Sequence, residues 1–186
     1  MITSTIYKRH SVRSFDNRDV TDEDLREILG AGCMAPSSKN DQPWRVIIVR
    51  NPKLREISEY LISFLDENSN PSDCNACRET FRIMSTAPVG LFIFFKEGLD
   101  RSRFLAHVES IGAFIENMLL TAQDMGIGSL WCGDVLSVSD EVMRYFGTSE
   151  PPLTAVVFGY EDQKEVRKKH MSPEDIIIKG YDEWKF

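Results

Sequence analysis

Ala35-Pro36-Ser37-Ser38-Lys39-Asn40-Asp41-Gln42-Pro43-Trp44 lies between a helical pattern that ends near Met34 and an apolar run, Val46-Ile47-Ile48-Val49, that reads as a buried strand. Its two prolines fix φ and remove backbone donors, so the segment is neither helix nor central strand. Two serines, an asparagine and a glutamine then set short hydrogen-bonding groups on an extended backbone, the makeup of a loop that cradles a planar, polar ligand. An ordinary helix-to-strand connector has much the same composition. The rest of the chain has to decide between the two.

Upstream, a short amphipathic segment from Thr3 to Lys8 precedes Arg9-His10-Ser11-Val12-Arg13. Thr21 with Asp24 resembles a capping box, and Leu25, Ile28 and Leu29 give the helix behind it one apolar face. Downstream, Leu54, Ile57, Leu61 and Phe64/Leu65 recur at helical spacing, and the polar stretch Asn68–Cys77 reads as a loop. Pro88 introduces a second strand, Val89–Phe95, apolar on both faces. The longest periodic run, Phe104 to Met125, carries Val108, Ile111, Ile115, Met118, Leu119 and Ala122, a stripe wide enough for a central helix. Gly126-Ile127-Gly128 ends it. Ser129–Cys132 follows as a short strand, Ser139 is placed to cap a helix through Phe146, and Leu153–Phe158 is a fourth strand. Strands apolar on both sides, mixed with helices, mean a sheet covered by helices on both faces.

The 186 residues fit one domain, or one domain with arms. Against 22 basic residues stand 29 acidic ones, a net charge of −7 that argues against a nucleic-acid partner. The cations are nonetheless concentrated in Lys8–Arg18 and Lys164–His170, an arrangement suited to an anion. No window approaches the roughly 20 apolar residues of a membrane-spanning helix. Met1-Ile2-Thr3-Ser4 lacks the pattern of a signal peptide, and four unevenly spaced cysteines form no disulfide framework, so a cytoplasmic location is expected. Past Gly159 a charged run leads to Ile176-Ile177-Ile178, Trp184 and Phe186. Left in water these would forgo about 25 cal/mol per Å² of burial. Packing on a second subunit or folding back on their own domain would cover them.

Arg9-His10-Ser11-x-Arg13, the Ala35–Trp44 stretch, Ser110-Ile111-Gly112-Ala113 through Glu116-Asn117-Met118-Leu119-Leu120, Gly126-Ile127-Gly128-Ser129 with Trp131, and Phe158-Gly159-Tyr160 together resemble the FMN-dependent nitroreductase family, in the family's order and over nearly the whole chain. The resemblance implies an α+β fold with a central, mostly antiparallel sheet between helices. It implies a homodimer with exchanged C-terminal arms, from about residue 160 to 186, and flavins at the subunit interface.

By the same resemblance, Arg9, His10, Ser11 and Arg13 hold the phosphate and ribityl chain of FMN; an arginine fork grips phosphate oxygens in pairs. Lys168 and His170 close over the phosphate from the C-terminal side. His170 departs from the usual arginine or lysine, and Lys169 is a substitute. Pro36, Ser37, Ser38 and Asn40 meet the ring and ribityl group, with the phosphate cations of the same subunit. Trp131, Cys132 and Gly133 pass the opposite ring face. Asp134 replaces a second glycine there, a carboxylate that would disfavour anionic substrates or alter the flavin potential if it faces the ring. No catalytic acid or base and no metal is implied. Cys132, on an apolar strand with no histidine near it in sequence, reads as a small buried residue. Cys74-x-x-Cys77, without a second pair at ligand spacing, reads as incidental thiols on a mobile loop, and His107 as a packed or surface residue.

The activity implied is NAD(P)H oxidation in ping-pong order with a small electron-poor acceptor, a nitroaromatic or a quinone. A specialised reductive dehalogenase or enal reductase, and a non-catalytic flavin-binding protein, share the fold.

Overall fold

A computed structural model describes residues 2–69, 74–95, 100–163 and 170–176. Four strands, β1 (Arg45–Arg50), β2 (Val89–Phe94), β3 (Gly128–Cys132) and β4 (Pro152–Gly159), form one sheet in the order β1-β2-β4-β3, every neighbouring pair antiparallel. The period of two sorts the strand residues between two cores. Phe92, Phe94, Ala155 and Val157 face the layer of α3 (Lys53–Asn68), α4 (Asn75–Thr86) and α6 (Ser139–Phe146). Leu91, Ile93, Val156 and Phe158 face α2 (Asp22–Cys33) and α5 (Arg101–Asp124). All six residues of β2 are buried, which is why its sequence is a continuous apolar run.

Local signals explain where the helices begin. Thr21 caps α2 with its hydroxyl on the Asp24 amide while the Asp24 carboxylate accepts from the Thr21 amide, the reciprocal box foreseen above. α5 opens on Asp100, whose carboxylate accepts from the Arg103 amide. α1 (Ile2–Lys8) lies against α5, with Thr5 donating to Asp124 at 2.8 Å, yet it leaves Ile2, Ile6 and Tyr7 exposed.

Several expectations change. Val46–Val49 is an edge strand rather than a buried one: only Val49 is buried and Ile48 is 47 % exposed, because β1 has a partner on one side only. Ser139 is the first residue of α6 and makes no side-chain cap, since a 3-10 turn, Gly133–Val138, runs straight into that helix. The Asn68–Cys77 loop is shorter than expected, as α4 starts at Asn75 and carries Cys77 in its first turn. α4 has no counterpart in the periodicity reading, because its apolar positions, Phe81, Ile83 and Met84, are few and its inner face also buries Arg78, tied to Asp66 at 2.6 Å and to the Leu65 carbonyl at 3.0 Å. The exchange of the C-terminal arm falls mostly on residues outside those described. No helix among the described residues is long and apolar enough to cross a membrane.

Candidate functional site: a left-handed loop and a basic segment on α5

The loop from Pro36 to Trp44 is shaped by its own serines and by α5. Lys39, Asn40 and Gln42 take φ of 52°, 59° and 44°, left-handed values that residues with a Cβ adopt at a cost. Ser37 Oγ accepts from the Gln42 amide at 3.1 Å, Asn40 Oδ1 accepts from Gln42 Nε2 at 3.3 Å, and the Ser38 amide donates to Ser110 Oγ on α5 at 3.2 Å. Behind the loop Trp44 stacks on Phe114 of α5, ring centroids 4.9 Å apart, so the far end is fixed by packing. Pro36, Ser38 and Asn40 stay exposed and Ser37 half-buried. The turn therefore offers short polar groups on a backbone already set.

The basic segment is laid on the sheet edge. Ser11 bridges Ser129 in parallel, with the Val12 amide donating to the Ser129 carbonyl at 2.9 Å. Gly128 makes this approach possible: a Cβ there would stand 2.8 Å from Val12 Cγ2. Phe15 bridges Glu161, the Asp162 amide donates to the Ser14 carbonyl, and His10 Nε2 lies 2.9 Å from Glu161 Oε1. The two ends of the chain thus run side by side as far as Asp162. Arg9 is half-buried, with Nε 4.0 Å from Glu116 on α5, and Arg13 is exposed, with Nη1 donating to the Ser11 carbonyl at 3.3 Å. His10 has its two ring nitrogens at Glu161 and at the Lys8 carbonyl (3.1 Å), which ties the segment down more directly than it equips the ring for a ligand. Lys168 and Lys169 lie outside the described residues, and His170 is exposed.

At the end of β3 the exposed Trp131 donates its indole N–H to Thr154 at 2.9 Å, Cys132 is buried, and Gly133 is open, with nothing near where a Cβ would stand. The Cys132 thiol is pushed up to about 12 by burial and then by the Asp134 charge, so it is no nucleophile. Asp134 turns back toward α4: its carboxylate accepts from Thr80 at 2.5 Å and from the Cys77 thiol at 3.7 Å. Burial and that carboxylate raise the Cys77 thiol. All four cysteines are free, and among the described residues no cluster suits a metal. A groove of about 520 Å³ between α1, α2 and α5, lined by Ile2, Glu27, Leu120 and Asp124, includes none of the loop or basic-segment residues.

Sequence reading gave no role to Asp41 or Ser110, which it quoted only within longer stretches, and did not single out Arg103. Asp41 Oδ2 meets His107 Nε2 at 3.3 Å and Arg103 at 3.4 Å. Polar residues at Arg103, His107 and Ser110 recur at the spacing of one helix face, a signal legible beforehand.

The donor set fits a flavin mononucleotide: cations and hydroxyls on the segment for a phosphate, short amide and hydroxyl groups on the loop for ribityl and ring edges. The chain is similar to several known proteins. An Archaeoglobus fulgidus protein named "Putative NADH dehydrogenase/NAD(P)H nitroreductase" is 32 % identical over 130 residues, 69 % of this chain and 64 % of its own length. Protein DrgA of Synechocystis is 31 % identical over 140 residues, 67 % of each chain. The fold matches a Bacteroides fragilis nitroreductase solved with bound FMN at a TM-score of 0.79, with 22 % identity over 96 % of this chain and 98 % of that one. The family model described as the Nitroreductase family matches residues 6–160, and the chain belongs to that family.

Proposed function

We propose that this chain is an FMN-dependent oxidoreductase that takes hydride from NAD(P)H and, in ping-pong order, passes it to nitroaromatics, quinones or similar electron-poor acceptors. The observation that carries this reading is the left-handed turn at Lys39, Asn40 and Gln42, a strained polar surface held ready on α5. Bound FMN supplies the ring that accepts a hydride and gives it up again. The chain's own residues bind and orient. Arg9, Ser11 and Arg13 take the phosphate, with Lys168 and His170 assigned to the same group; Pro36, Ser37, Ser38 and Asn40 take the ribityl and ring edge; Trp131, Cys132 and Gly133 border the opposite ring face. Asp134 is tied to Thr80 and Cys77 and is given no role in holding the flavin. No side chain is assigned as proton donor.

The working unit is a homodimer of single-domain subunits, in the cytoplasm. Its support is geometric. Arg9 docks at Glu116 and the loop at Ser110, six residues apart on α5, which is about 9 Å along the axis and about 120° around it. A flavin served by both is more readily reached with the phosphate cations from one subunit and the loop from its partner than from one subunit alone, in place of the single-subunit arrangement expected from sequence. The exposed Ile2, Ile6 and Tyr7 of α1 supply apolar surface for that contact.

The test is direct. Purified full-length protein should be yellow and release FMN on denaturation, and under anaerobic mixing NADH or NADPH should bleach it. A colourless preparation that refuses added FMN overturns the flavin reading. A yellow protein that neither nucleotide bleaches is a flavin-binding protein without this activity.

A further inference from the structure

α5 carries two buried polar residues where its packed face should be apolar: His107, 6 % exposed, and Ser110, 5 % exposed. With Arg103 they stand at i, i+4 and i+7 and so form one stripe. Each meets the Ser37–Gln42 loop. Ser110 Oγ donates to the Ala106 carbonyl within the helix at 2.6 Å, which leaves its lone pairs to accept the Ser38 amide. Asp41 sits between Arg103 and His107.

The His107 contact is informative because of what it leaves unsatisfied. Asp41 is held ionised, its carboxyl below the usual range chiefly through the hydrogen bond from His107 and then through Arg103. A carboxylate only accepts, so Nε2 carries the ring proton. Nδ1 is then a buried polar atom with no partner among the described residues. A leucine of similar volume would avoid that penalty. The compensating feature is the loop, whose three left-handed residues need outside ties to persist.

We propose that the Arg103–His107–Ser110 stripe presets the loop in the form that receives the flavin, with the His107–Asp41 contact as its central tie; these are positioning residues and touch no ligand. The inference rests on the flavin reading above. The experiment titrates FMN into deflavinated full-length protein by fluorescence quenching and records the melting temperature of the same apo samples. His107→Leu is expected to weaken FMN about tenfold, the value of a hydrogen bond to a charged group, while the apo melting temperature stays level or rises. His107→Gln, which keeps a donor, should recover most of the affinity. Asp41→Ala should match His107→Leu, and the double variant should add little to either. An unchanged FMN affinity in His107→Leu, or losses that add fully in the double variant, overturns the tie. Wild-type protein that takes up no FMN overturns the flavin reading itself and the tie with it.

Discussion

Arg13→Ala separates a ligand-holding cation from a structural one. Arg13 is exposed, and its Nη1 contact to the Ser11 carbonyl, at 3.3 Å, is longer than a good hydrogen bond. The backbone there is held independently by the Val12–Ser129 bond of 2.9 Å. Arg13 is an exposed side chain, so its truncation should leave the stability of the apo protein within about 0.5 kcal/mol of the wild type. A guanidinium on a phosphate contributes roughly 1.5–3 kcal/mol. At about 1.4 kcal/mol per decade this is a rise in FMN Kd of ~10- to 100-fold. Fluorescence quenching of FMN by deflavinated wild type and variant reads the Kd, and thermal melts of the apo proteins supply the control. Raising the salt toward ~1 M, where the Debye length falls to about 3 Å, should narrow the gap between the two. Equal Kd values refute the phosphate assignment. A melting temperature that falls in step with affinity shows instead that Arg13 holds the segment together.

Three further outcomes follow from the same geometry. Gly128→Ala sets a Cβ against Val12 and should cost about 1–3 kcal/mol, read as a lower melting temperature, with weaker FMN binding as the Ser11 segment lifts off β3. Asp41, Asp16 and Glu56 have carboxyls lowered from 3.8, 3.8 and 4.5, first by hydrogen bonds from His107, Arg18 and Lys53. The folded state binds these protons less tightly than the unfolded chain, so their contribution is present above those usual values and lost as pH falls through the lower folded ones; melting temperatures should drop below about pH 4, and less steeply in Asp41→Asn. Iodoacetamide under mildly alkaline conditions should label the exposed Cys33 and spare Cys132 until the protein unfolds, as peptide mass spectrometry would show.

Much of the layout was legible because it rests on local chemistry or on period. The Thr21–Asp24 box, the α5 stripe from Ile111 to Ala122, and the double-sided apolarity of β2 and β4 each follow from a few neighbouring residues. The direction of the strands did not. A strand buried on both faces looks the same whether its neighbours are parallel or antiparallel, and the family resemblance rather than the pattern supplied the antiparallel sheet. Ile48 misled for a related reason: β-branched apolar residues suit an edge strand as well as a central one, and only the sheet order exposes that side chain. α4 escaped because Arg78, buried against Asp66, broke the apolar stripe a periodicity reading needs.

At the candidate site the division is similar. The sequence alone set the residue types: cations in the Arg9–Arg13 segment, two prolines that exclude regular structure, and serines and an asparagine between them, since composition and φ restriction are local properties. Tertiary structure decided which groups meet. Glu161 beside His10, Asp134 turned onto Thr80, and Asp41 held between Arg103 and His107 join residues 151, 54 and 62 to 66 positions apart in the chain. Side chains that far apart meet only after two cores have closed on one sheet, and no local pattern encodes where they come to rest.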